Sequence, residues 1–128
     1  MASDPPSEGD VVAYARTFTE EDVRAFAELS EDRGDHHLER DAEGRLLVHG
    51  LLTATLPTKV GGDMNFLARS MEFDFRRPVY TGEEITCRVT IERLDEREDR
   101  YVGVAAVACE NESGETVMTG SFDGIVRK

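Results

Sequence analysis

The sequence predicts an α+β fold in which a long antiparallel β-sheet wraps a central apolar helix. Three observations carry this expectation. The segment from Val48 to Gly62 is apolar around most of a helical circumference. Beyond it, the patterned segments alternate with the two-residue period of strands. The order of elements is one strand, two helices, then about four long strands, with no internal repeat.

The elements follow in order. "DVVAYARTF" (Asp10 to Phe18) is rich in β-branched and aromatic residues and reads as the first strand. Thr19 is a good N-cap, and Glu20, Glu21 and Asp22 place acid in the first turn of a helix. Val23, Phe26 and Ala27 recur on one face of it. "VHGLLTATLPTKVGG" is the apolar helix, with Leu51, Leu52, Thr55 and Leu56 covering most sides; Pro57 should kink or end it, and Gly61 and Gly62 should stop it. "MNFLARSMEFDF" alternates imperfectly. In "EEITCRVTIERL", Ile85, Cys87, Val89 and Ile91 face one way and Thr86, Arg88, Thr90 and Glu92 the other. "LDEREDR" is a charged connection, "YVGVAAVACENE" a strand, "ESGE" a hairpin turn, and "TVMTGSFDGIVRK" the last strand. Small residues Gly103, Ala105, Ala106 and Ala108 are expected to let sheet and helix approach closely.

The bulk numbers restrict function. A chain of 128 residues is the size of one domain, expected over residues 10–128, with residues 1–9 a disordered lead. The net charge of -12 argues against nucleic acid, which needs a basic face. Nothing resembles a membrane span or a signal peptide, so a cytoplasmic location is expected. The spacing of Cys87 and Cys109 fits no metal motif, and two buried thiols are expected. Thirteen arginines against two lysines, with 27 acidic residues, point to a halophilic, high-salt cytoplasm in which salt screens the self-repulsion. A sheet with a single main helix leaves apolar surface uncovered, so a homodimer is expected.

The stretch "SEDRGDHHLERD" (Ser30 to Asp41) holds five acidic residues and two adjacent histidines. It can be read as a solvated acidic turn, a metal site, or an acid/base loop. A metal site needs ligands converging from several places, and His49 is the only other histidine. The acid/base reading rests on Asp32 and His37, close together after a helix end, and on "VHG", which puts Gly50 at the start of the apolar helix. Backbone N–H groups there are unpaired and stabilise developing negative charge. Carboxylate, imidazole and such donors are the parts needed to add or remove water next to a carbonyl.

"FAELSEDRGDHHLERD", "LLVHGLLTATL" and "FDFRRPVYTGEEITCRVTIERL" resemble, in this order, the segments of the MaoC-like (R)-specific enoyl-CoA hydratases/dehydratases, which have the hotdog fold. The first segment with "VHG" is the specific part; the third is shared by many hotdog proteins. The resemblance runs from about Phe18 to the C-terminus. It implies that Asp32 and His37 are the catalytic pair and that the Gly50 N–H binds the thioester oxygen. It also puts His49, Leu51 and Thr58 by the substrate: His49 on the histidine before that glycine, Thr58 where some members carry a serine. No metal or cofactor is implied beyond the CoA thioester, which is the substrate.

The implied reaction is addition of water to a 2-enoyl thioester, or its removal from an (R)-3-hydroxyacyl thioester. Two partner proton-transfer groups would give a bell-shaped pH profile. Where the family carries Asn-Pro after the aspartate, this sequence has Gly34-Asp35. An acyl-CoA thioesterase and a non-catalytic acyl-binding hotdog subunit are the alternatives. Arg76, Arg77 and Lys59 are candidates for phosphate contacts.

Overall fold

A computed structural model describes residues 6–128. Strands β1 (Val11–Thr17), β2 (Phe66–Phe75), β3 (Glu84–Glu96), β4 (Arg100–Glu110) and β5 (Thr116–Arg127) form one antiparallel sheet in the order β1-β3-β4-β5-β2. Between β1 and β2 lie helices α1 (Glu20–Ser30), α2 (Asp35–Leu38), α3 (Gly50–Thr53) and α4 (Thr55–Asp63). Helix α4 packs on β1, β2 and β3, so the sheet curls around it as expected.

The alternation in β3 is realised: Ile85, Cys87, Val89 and Ile91 are buried, against Leu56 and Val60 of α4, Ala105 and Val107 of β4, and Met118 and Phe122 of β5 in one core. Burying each such aliphatic side chain stabilises the fold by about 1.5–3 kcal/mol before entropy is counted. The four small residues of β4 divide between faces. Gly103 and Ala105 are buried on the inner face, whereas Ala106 and Ala108 lie on the outer one. The expected close approach to the helix is not what Gly103 serves: α4 packs on β1, β2 and β3, and a Cβ on Gly103 would meet Leu94 and Arg93 of β3 and Phe66 of β2.

Other expectations are corrected. The apolar helix is two helices, and the break falls at Ala54, ahead of Pro57. Pro57 has no N–H to give the Thr53 carbonyl and its ring crowds that group, so the ladder is interrupted one turn earlier. Within α4, Pro57 is the third residue, where a missing donor costs little. Gly61 and Gly62 do not stop α4, which runs to Asp63 and is followed by Asn65 at φ 56°. Asparagine tolerates that left-handed conformation at a helix end. Within "LDEREDR" the connection is only residues 97–99, since β3 continues to Glu96 and β4 begins at Arg100. Of the expected disordered lead, residues 1–5 lie outside the described residues. The remainder is tied to β3: Gly9 N–H donates to the Ile91 carbonyl (2.8 Å) and Leu94 N–H to the Glu8 carboxylate (2.9 Å).

Candidate active site

Helix α1 sets the position of the acidic loop. Thr19 and Asp22 form a reciprocal capping box that fixes its start. At its end Glu31 is left-handed, φ 61°, which turns the chain sharply. Ser30 Oγ then accepts from Asp32 N–H (3.1 Å), and Asp32 Oδ1 accepts from Gly34 N–H (3.3 Å). Arg40 returns a two-pronged contact to Glu20, both distances 2.8 Å, tying the far end of the loop back to α1.

The segment 46–48 is the second support. Val48 N–H donates to the Val79 carbonyl (2.8 Å) and Thr81 N–H to the Leu46 carbonyl (3.0 Å). The "RRPVYTG" stretch thus serves as a backing strip for "LLV". Leu47 N–H in turn donates to the His36 carbonyl (3.1 Å), and the Leu47 carbonyl accepts from His37 Nδ1 (2.7 Å).

That last bond determines the chemistry of His37. A carbonyl only accepts, so Nδ1 carries the proton, and in the neutral ring Nε2 holds the free lone pair. His37 is 6% exposed. Burial pushes its pKa below the usual imidazole range, and His49 and His36 push the same way; the Leu47 bond and Asp32 oppose. Nε2 lies 3.8 Å from Asp32 Oδ2.

His49 is fully buried beneath this pair. Its ring stacks on His37 at 3.6 Å and 14°, and Phe26 meets it edge-on at 4.9 Å. His49 Nε2 donates to the Asp32 backbone carbonyl (3.0 Å), so it holds the loop that presents the carboxylate. His49 Nδ1 is buried without a hydrogen-bond partner among the described residues. Asp32, His37 and His49 each offer a ligand atom within 4.8 Å of the others. Parallel rings 3.6 Å apart aim their lone pairs along separate planes, so this set does not converge on an ion as a metal centre requires.

Gly50 begins α3. The first helical bonds come from Leu52 and Thr53, both to the His49 carbonyl at 3.0 Å, so the Gly50 and Leu51 N–H groups precede the ladder. A Cβ on Gly50 would lie 3.0 Å from the Phe75 ring. Glycine here lets the end of β2 close over the start of α3.

Asp32, His37, His49, Gly50 and Leu51 line one cleft of about 570 Å³. Phe75, Val79, Val117 and Arg77 complete its wall. Thr58 is not there. It sits on α4, its hydroxyl donates to the Thr55 carbonyl (2.8 Å), and it borders a separate apolar hollow with Met71 and Phe73. The α3–α4 break and the intervening turns carry it away from the pair. Of the three cations, Arg77 alone borders the cleft, held by Glu115 at 3.4 Å; Arg76 contacts Thr119, and Lys59 pairs with Asp63 on α4. Phe75 was missed as a site residue in the sequence, whereas Arg77 was read only as a candidate phosphate contact. Phe75 is the last residue of β2, and no local pattern in the sequence marks its long-range contact with the start of α3.

The family model "FAS1-like, dehydratase domain region" matches residues 8–120. An (R)-specific enoyl-CoA hydratase of Aeromonas caviae is 30% identical over 123 residues, 88% of this chain and 89% of that protein. A mitochondrial 3-hydroxyacyl-[acyl-carrier-protein] dehydratase of Arabidopsis thaliana is 30% identical over 117 residues, 86% of this chain and 70% of that protein. Among solved structures, the (R)-hydratase from A. caviae superposes with a TM-score of 0.82 at 26% identity, covering 97% of this chain and 98% of that one. The chain belongs to the FAS1-like dehydratase-region family, and within it to the MaoC-like (R)-hydratases/dehydratases with the hotdog fold.

Proposed function

We propose that the protein is a hydratase/dehydratase that adds water to a 2-enoyl thioester of CoA, or removes it from the (R)-3-hydroxyacyl thioester. The observation that carries this is the tautomer-fixed Nε2 of His37, 3.8 Å from the Asp32 carboxylate in the cleft that Gly50 lines. Two acceptors at that spacing both reach one water about 2.8 Å from each. Asp32 takes one of its hydrogen bonds and orients it; His37 Nε2 takes the other proton as oxygen attacks C3. The electron pair of the double bond moves onto the thioester carbonyl, where the Gly50 N–H stabilises the charge by roughly 3 kcal/mol. The imidazolium then gives its proton to C2. Dehydration is the reverse, and both directions begin with neutral His37. The bell-shaped profile expected from the sequence gives way to a single acidic limb, since neither group must hold a proton at the start.

The A. caviae relative acts on enoyl-CoA by name, which supports CoA as the carrier. No cofactor takes part in this scheme, because the proton moves through side chains. We read the assembly as a homodimer: among the described residues β2 pairs with β5 alone, and it exposes Leu67, Met71 and Phe75. The acidic, arginine-rich surface fits the cytoplasmic, salt-rich setting expected from the sequence. The test is incubation with crotonyl-CoA and longer enoyl-CoAs in molar salt, following the conjugated double bond beside a thiol-trapping reagent. Loss of the double bond without free thiol is expected. Free thiol would indicate a thioesterase, and tight binding without turnover a non-catalytic subunit.

A further inference from the structure

Gly34 has φ -54°, a conformation open to any residue, so its backbone does not demand glycine. Space does. A Cβ there would lie 2.8 Å from Cε1 of His36 and 3.3 Å from its Nε2. The His36 ring folds back over residue 34 and rests on His37, with centroids 4.0 Å apart and planes tilted 59°. His49 stacks on His37 at 3.6 Å. His37 therefore contacts two other imidazoles, one exposed at the cleft rim and one buried.

We propose that His36 is a positioning residue of this active site: its ring, seated in the space Gly34 leaves, steadies His37 and, when protonated, opposes a proton on His37. The proposal rests on the hydratase reading and adds to it a control over the acid range of activity. Three titratable groups face His37 from the elements around it: Asp32 from the loop after α1, His36 from α2 and His49 from the start of α3; Arg77, paired with Glu115, lines the same cleft. Asp32 favours a proton on His37, while both neighbouring histidines disfavour one. A like charge about 4 Å away at a partly screened site is worth on the order of half a pH unit or more. Because His36 is exposed, salt screens this effect. Gly34 is the companion residue, since any side chain there must push the His36 ring off its seat.

The experiment compares wild type, His36→Gln, Gly34→Ala and the double variant. It measures pH profiles of crotonyl-CoA hydration, each normalised to its own alkaline plateau, alongside an NMR titration of the His37 ring. His36→Gln should move the acidic limb and the His37 titration up by about half a pH unit. Gly34→Ala should move them the same way, and the double variant no further, because both changes remove one contact. The displacement should shrink in molar salt. A His37 titration that stays in place in His36→Gln, or shifts that add in the double variant, would overturn the proposal. Wild type without hydratase activity would sink the functional reading instead, and the NMR titration would still decide whether His36 acts on His37.

Discussion

His37 owes its role to one carbonyl. Leu47 fixes the proton on Nδ1 and leaves Nε2 to face Asp32, while burial lowers the resting ring's affinity for a second proton. The consequence for pH has a definite sign. A lowered pKa means the neutral, active form persists below the usual imidazole value of 6.5. The rate should therefore fall only when pH drops beneath that value, with a single limb; a limb centred above it would contradict the burial argument. Gly50 makes a second prediction. Gly50→Ala sets a Cβ 3.0 Å from the Phe75 ring, so ring or backbone must give by a few tenths of an ångström, which would misplace the oxygen donor. A loss of kcat on the order of 10²-fold is expected, in line with losing one oxyanion donor, with the fold intact by circular dichroism. That Asp32, His37 and Gly50 meet in one cleft was legible, because their spacing and type stand in the sequence. His49 was read as close to substrate, and the structure makes it the buried support of both Asp32 and His37. Thr58 was misplaced because the path of α4 depends on where Pro57 breaks the ladder, which is a matter of three-dimensional hydrogen bonding.

At the level of elements, the strands were legible and the helix breaks were not. Period-two alternation in β3 is strong, and burial follows it residue by residue. Helix α2, of four residues, is too short to leave a period in the sequence. The β2–β5 seam depends on two glycines that gave no signal. A Cβ on Gly124 would lie 2.0 Å from the Leu67 carbonyl oxygen, and one on Gly120 2.2 Å from that of Glu72. Both obstacles are backbone, which cannot swing aside. Gly124→Ala should destabilise by several kcal/mol, at the severe end for single substitutions, read as a lowered denaturation midpoint. A midpoint equal to wild type would mean the seam is looser than described. Thr19→Ala, by contrast, should cost about 1 kcal/mol through loss of the capping box.

The whole molecule carries -12 at neutral pH, and its ion pairs are mostly surface contacts. Screening should therefore stabilise it: the melting temperature is expected to rise from low to molar salt. A falling value would count against the salt-adapted reading. The charge balance was legible from composition alone, whereas the site's assembly from α1, segment 46–48 and the end of β2 was not, because those contacts are long-range. In the proposed reaction Asp32 and His37 together activate one water against an enoyl thioester. The measurement that tests it most directly is crotonyl-CoA hydration by Asp32→Asn and His37→Ala, with folding checked in parallel. Each variant is expected to fold and to lose at least about 10²-fold in kcat, as removal of a positioned proton-transfer group does. Wild-type turnover in either folded variant would contradict it.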